Sequence, residues 1–194
     1  MKIKLCVALL MALFAGMFAS AQKVALKTNL LYDATATVNA GIEIGLAPRW
    51  TLDISGNFND WTMSHNRKWK HWLVQPEARY WFCERFSGHF IGIQAHGGEY
   101  NFGNLKNGIK FLGSDFSKLT DNRYQGWYVG GGLSYGYAWI LGKHWNLEAE
   151  LGIGYIYTRF DKYPCAECGE KIEEDASHHY FGPTKLALSI VYLF

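Results

Sequence analysis

The dominant pattern along the chain has a period of two. It is clearest over residues 145–157. Trp145, Leu147, Ala149, Leu151, Ile153, Tyr155 and Tyr157 share one parity, and Asn146, Glu148, Glu150, Gly152 and Gly154 hold the other. Such a segment is a strand whose two faces meet different surroundings. Two carboxylates and two glycines are unsuited to a dry apolar core. The alternation recurs over Val38–Leu46, with Glu43 on the polar parity, and over Leu52–Phe58, with Asp53. It recurs again over Trp72–Phe82, with Gln75, Glu77 and Arg79, then over Ile91–Ala95 and Trp127–Trp139. The first segment is less clean: Leu26, Thr28, Leu30 and Tyr32 oppose Lys27, Asn29, Leu31 and Asp33. The pattern predicts eight strands, near residues 24–33, 37–47, 50–61, 71–83, 88–101, 126–141, 145–160 and 181–194. Pro76, inside the fourth, removes one ladder donor.

Three all-β architectures carry strands of this kind. A soluble barrel has an apolar interior, a sandwich buries one face of each sheet, and a membrane barrel turns its apolar face to lipid. Glycine and opposite charges recurring on one face suit a narrow lumen. Trp50, Trp72, Trp127, Trp139 and Trp145 have the apolar parity and lie near strand ends, the depth Trp prefers in a bilayer. Connections alternate between short, as at Pro48–Arg49 and Gly142–His144, and long, as at Gly103–Gln125 and Asp161–Tyr180. Short periplasmic turns and long external loops produce that asymmetry. The expected fold is an all-β, eight-stranded antiparallel outer-membrane β-barrel. Its last strand carries Leu186, Leu188, Ile190, Tyr192 and Phe194 on one parity. Tyr192 and the terminal Phe194 resemble the signal read by the outer-membrane barrel-assembly machinery.

The N-terminus fits export. Lys2 and Lys4 precede an apolar run from Leu5 to Phe18, followed by Ala19-Ser20-Ala21. This predicts a signal peptide over 1–21, with the barrel over 22–194 and Gln22 as the mature N-terminus. Cleavage removes two of the 19 basic residues and none of the 17 acidic ones, so the mature chain is balanced in charge. A balanced chain lacks the basic footprint of a nucleic-acid binder. The sequence is 49% hydrophobic with 8 Trp, 12 Tyr and 12 Phe, yet no later run reaches membrane-helix length.

Three segments carry a family resemblance. Lys27-Thr28-Asn29-Leu30-Leu31-Tyr32-Asp33, Gln75-Pro76-Glu77-Ala78-Arg79-Tyr80-Trp81 and Tyr180-Phe181-Gly182-Pro183-Thr184-Lys185 resemble a family of small Bacteroidota outer-membrane proteins, catalogued as a domain of unknown function. The resemblance spans nearly the whole mature chain. It implies a barrel and that lineage, and supplies no catalytic residues.

The candidate chemistry lies first in a lumen charge network of Lys27, Glu43, Asp53, Glu77, Arg79, Glu148, Glu150 and Lys185, with Asp33 on the same parity. It reads as a salt-bridged plug in preference to a proton or ion path, because eight strands leave a lumen that side chains fill. Cys165 and Cys168 are expected to form a disulfide in an external loop, with a metal site as the weaker reading; Cys83 is expected to be unpaired. Ser64-His65, His96 with Glu99, and Ser114-Asp115 offer no set with the geometry of nucleophilic catalysis. One loop is basic and aromatic (His65, Arg67, Lys68, Trp69, Lys70, His71) and another acidic (Glu170, Glu173, Glu174, Asp175). The expectation is a non-enzymatic outer-membrane protein with a structural or surface-interaction role, without cofactor or metal. Its expected partners are outer-membrane lipid, the assembly machinery during biogenesis, and a surface protein or lipopolysaccharide. A lipid-modifying barrel enzyme is the alternative.

Overall fold

The computed structural model describes residues 24–63, 67–103, 110–111, 114–115, 122–164 and 169–194. The signal peptide expected over 1–21 lies outside them. Eight antiparallel strands form one sheet that closes into a ring. They are β1 (Val24–Asn29), β2 (Val38–Ala47), β3 (Trp50–Asn59), β4 (Arg67–Trp81), β5 (Gly88–Gly103), β6 (Arg123–Ile140), β7 (Trp145–Tyr163) and β8 (Glu173–Leu193). Each pairs with its neighbours in sequence, and β8 returns to β1, with Ala25 opposite Leu193 and Asn29 opposite Ser189. The two-residue strand Thr62–Met63 pairs with the start of β4, and Lys110–Phe111 pairs with Ser114–Asp115.

The ring has two unlike ends. At one, short turns join β2 to β3, β4 to β5 and β6 to β7, and the termini of the ring meet: the Phe194 N–H donates to the Val24 carbonyl at 3.1 Å. Longer connections gather at the other end. The wall curls tightly enough to require glycine at facing positions. Gly132 lies opposite Gly154 across β6 and β7. A Cβ on Gly132 would stand 2.3 Å from the Ile153 carbonyl oxygen, and one on Gly154 2.2 Å from that of Gly131. Only a residue without a Cβ accepts that approach. At Pro76 the β4–β5 ladder is interrupted between Val74–Gly97 and Glu77–Gln94, while pairing to β3 continues.

Toward the loop end the strands run beyond their predicted limits. β4 begins at Arg67, β6 at Arg123 and β8 at Glu173, and β7 continues to Tyr163. The first strand is instead shorter than predicted. It stops at Asn29, and Leu30–Ala34 form one helical turn, α1. Asn29 caps it, its Oδ1 accepting the Leu31 N–H at 3.1 Å. Asp33 therefore does not face the interior. It sits on that turn, its Oδ1 accepting from Asn39 Nδ2 at 2.7 Å and its Oδ2 from the Thr28 hydroxyl at 3.0 Å.

Where β1 ends, the edge of β8 would be left bare, and Asn29 substitutes for the missing strand. Its Oδ1 also accepts the Leu188 N–H at 3.1 Å, and its Nδ2 donates to the Leu186 carbonyl at 3.3 Å. Asn39 fixes Asn29 in turn, accepting its backbone N–H at 2.6 Å. Asn29→Ala is expected to speed amide exchange at both Leu31 and Leu188 and to cost about 1 kcal/mol, since water reaches part of the site. Asn29→Asp keeps the acceptor and should leave both amides protected. Equal exchange in the two variants would refute the stitch.

Candidate functional site

The interior is layered. At the turn end Trp81, Phe86 and Phe90 close the ring, together with Ala25, Ala138, Val191 and Leu193. The Trp81 and Phe90 ring centroids are 4.6 Å apart. Phe86 adopts φ +64°, a left-handed conformation unfavourable for a bulky residue. It is held by ring burial against Trp81 and by Asn146 Nδ2, which donates to its carbonyl at 2.6 Å.

Above this seal lies the charge network. Arg79 is at its centre and contacts five carboxylates: Glu43 at 2.8 Å, Asp53 at 3.2 Å, Glu77 at 3.1 Å, Glu148 at 2.9 Å and Glu150 at 2.6 Å. The planar fork of a guanidinium presents five donors, and a strand position facing inward brings it to the axis of the ring. Its Cζ also lies 4.5 Å from the Phe90 ring centroid, so the seal supports the cation from below. Lys27, on β1, reaches Glu43 at 2.5 Å, Glu148 at 3.3 Å and Asp53 at 3.4 Å. Lys185, on β8, meets Glu77, Glu150 at 3.0 Å and Asp53 at 3.9 Å. The Thr51 hydroxyl donates to Glu43 and accepts from Trp81 Nε1, tying the network to the seal. Five carboxylates thus face three cations.

Next come amides and hydroxyls. Gln75 Nε2 donates to Gln94 Oε1, and Gln94 Nε2 donates to the Thr184 hydroxyl at 3.0 Å. A register shift of β8 against β7, between Lys185 and Pro183, lets Thr184 and Lys185 both contact interior groups. Gly152 makes room: a Cβ there would stand 2.9 Å from the Lys185 Cβ and 2.4 Å from Gln94 Nε2. The space left beside Lys27, Asp53, Glu148, Glu150 and Lys185 is about 30 Å³, room for a few waters at most.

Of the nine charged side chains that parity placed on the lumen face, eight meet in this network and Asp33 does not. Parity could also have found Trp81, which shares the phase of Glu77 and Arg79, and Phe90, which shares that of Gly92 and Gln94. His96 and Glu99 do not form a pair: His96 is buried, whereas Glu99 accepts from the indole of Trp72, a half-exposed residue of the outer face. Ser64, His65, Cys165 and Cys168 lie outside the described residues, as do the side chains of Ser114 and Asp115. Cys83 is an exposed free thiol in the turn between β4 and β5. Tyr192 packs edge-on against Phe194, with centroids 5.0 Å apart.

A family profile matches residues 7–194. The chain belongs to DUF3575, a family of proteins of unknown function. No curated protein and no solved structure matches the chain. In this DUF3575 protein the three segments that carried the resemblance converge inside the ring: the first gives Lys27, the second Glu77 and Arg79, the third Lys185. Asn29 of the first segment stitches the seam, and Trp81 of the second forms the seal.

Proposed function

We propose that this DUF3575 protein is an outer-membrane β-barrel of a Bacteroidota bacterium, exported by the signal peptide over 1–21. Its role is non-enzymatic: it occupies the membrane as a closed structural element and presents its loop end to a surface partner. The observation that carries this reading is inverted polarity. The charged groups are buried, while Ile42, Leu46, Ile54, Val74, Ile93, Leu133, Leu151 and Ile153 are exposed around the wall. A soluble monomer rarely shows water an apolar surface of that extent, whereas lipid requires it. The aromatics of the outer face support the same reading. Trp50 and Phe58 on β3, Trp72 and Tyr80 on β4, and Trp145 and Tyr155 on β7 bracket stretches close to the 9–11 residues of a tilted membrane strand.

Two measurements test it. Fractionation should recover the protein in outer membranes, released by detergent and not by salt or alkaline wash. Release by washing would refute membrane residence. In planar bilayers the purified protein is expected to give no stable porin-sized conductance, because a seal of aromatic rings and a salt-bridged layer cross the lumen. A persistent large conductance would refute the plug.

A further inference from the structure

β8 pairs with β7 from Tyr192 back to Glu173, but with β1 only from Ser189 to Leu193. Asn29 occupies the next ladder groups, at Leu186 and Leu188. Beyond them, among the described residues, the backbone from Ala176 to Gly182 makes hydrogen bonds only toward β7. Among the described residues, no strand pairs with this edge over those seven positions. Side-chain exposure marks the same gap. Phe181 is 77% exposed, whereas Tyr155, directly opposite it on β7, is 46% exposed. Among the described residues, no strand flanks Phe181 on the side away from β7.

Free edges are templates for another strand, and stable proteins blunt them with proline, charge or a bulge. Here the blunting stands at the two ends of the stretch. Pro183, without an N–H, limits it on one side. On the other lies Asp175, at φ +53° beside a register irregularity. Next to Asp175 is a fixed acidic tip. Its N–H donates to Asp161 at 3.0 Å, Lys171 bridges Asp161 at 3.0 Å and Glu174 at 2.7 Å, and Arg159 pairs with Asp175 at 3.1 Å. The Asp175 N–H and Lys171 hold the Asp161 carboxyl below the usual carboxylate range. Counting Glu170, Glu173 and Lys162, the tip has five acids against three cations.

We propose that the β8 edge from Ala176 to Gly182 binds an extended segment of a partner protein, added as a further strand. The segment is apolar where it crosses Phe181 and basic where it meets the acidic tip. The ladder groups supply affinity, and the ring and the tip fix its register. This narrows the proposed surface role to one edge. The test below is read on purified protein, so its failure is distinct from a failure of membrane residence in fractionation.

The probes are fluorescein-labelled heptapeptides of alternating valine and threonine with a lysine pair at one end, made with the pair at either terminus. They are titrated into the full mature chain refolded in detergent. One of the two orders is expected to bind saturably and to protect from exchange those amides between Ser177 and Phe181 that point away from β7. Glutamates in place of the lysines, or a central proline, should weaken binding at least about tenfold. Glu173→Lys combined with Glu174→Lys should weaken it similarly while leaving the unfolding midpoint unchanged. The proposal is overturned if neither order protects those amides, or if the glutamate peptide binds as well as the lysine peptide. It is also overturned if the amides become protected without peptide as protein concentration rises, since a second copy of the chain then takes the edge.

Discussion

Replacing Arg79 by methionine is expected to prevent stable refolding of the ring in detergent, seen as loss of the compact, heat-modifiable species on gels. Arg79 touches every carboxylate of the network. Without it, five acids share Lys27 and Lys185. Removing one partner of a buried ion pair costs about 3–5 kcal/mol, because the other charge stays desolvated. Here the loss falls on several pairs at once, against a total stability on the order of 5–15 kcal/mol. Methionine fills much of the volume and can lie against Phe90, so the defect reads charge and not a cavity. The rescue is the sharper test. Adding Glu148→Gln and Glu150→Gln removes two negative charges and keeps hydrogen-bonding groups of the same size. That triple variant should refold. Arg79→Lys should be intermediate, since an ammonium cannot present five donors at once. If Arg79→Met alone unfolds within about 1 kcal/mol of the parent, the network does not hold the ring together.

Much of this arrangement is legible in the sequence, and the reason is geometric. In a closed sheet of small radius the side-chain period of two maps directly onto inside and outside. Glu148 and Glu150 on β7, or Glu77 and Arg79 on β4, therefore share the interior wherever the strand lies in the ring. Parity cannot say which strands face each other across it. That Arg79 reaches Glu43 and Glu148, on β2 and β7, follows from the register of the whole ring. Reading polarity as the label for the interior also hid the seal. Trp81 and Phe90 have the interior phase but an apolar character, so a search for polar residues on the interior parity passes over them. The loop-end stretches failed for another reason. Residues such as Glu173–His179 are wet on both faces, so their strand shows no alternation even though the ladder continues. Helix α1 was masked by Leu30 and Leu31, which continue an apolar run. The informative residue was Asn29, whose short side chain prefers to cap a helix and stop a strand.

Deleting Phe194 is expected to reduce strongly the amount of protein reaching the outer membrane while leaving the finished ring almost as stable as before. Its place in the structure bounds the folded-state loss. Phe194 is about half exposed, packs edge-on against Tyr192 and gives one backbone hydrogen bond to Val24. The ring alone can contribute no more than the roughly 1.5–3 kcal/mol of a fully buried apolar side chain, and here only part is covered. The seal is built from Leu193 and Val191, not from Phe194. The last strand also remains paired to β7 along its length and to β1 through Leu193. Before closure the situation differs. β1 offers only six residues to the seam, so on the proposed assembly route β8 would enter as a long exposed edge, its end recognised before β1 pairs with it. A side chain with little weight in the finished ring can then decide whether the ring forms. The comparison is between membrane yield in cells and the unfolding midpoint of protein refolded in detergent. A large fall in yield with a midpoint near that of the parent supports a recognition role for Tyr192 and Phe194. If the midpoint collapses along with the yield, Phe194 is a structural clasp. If the yield is normal, the terminal aromatic carries no assembly signal.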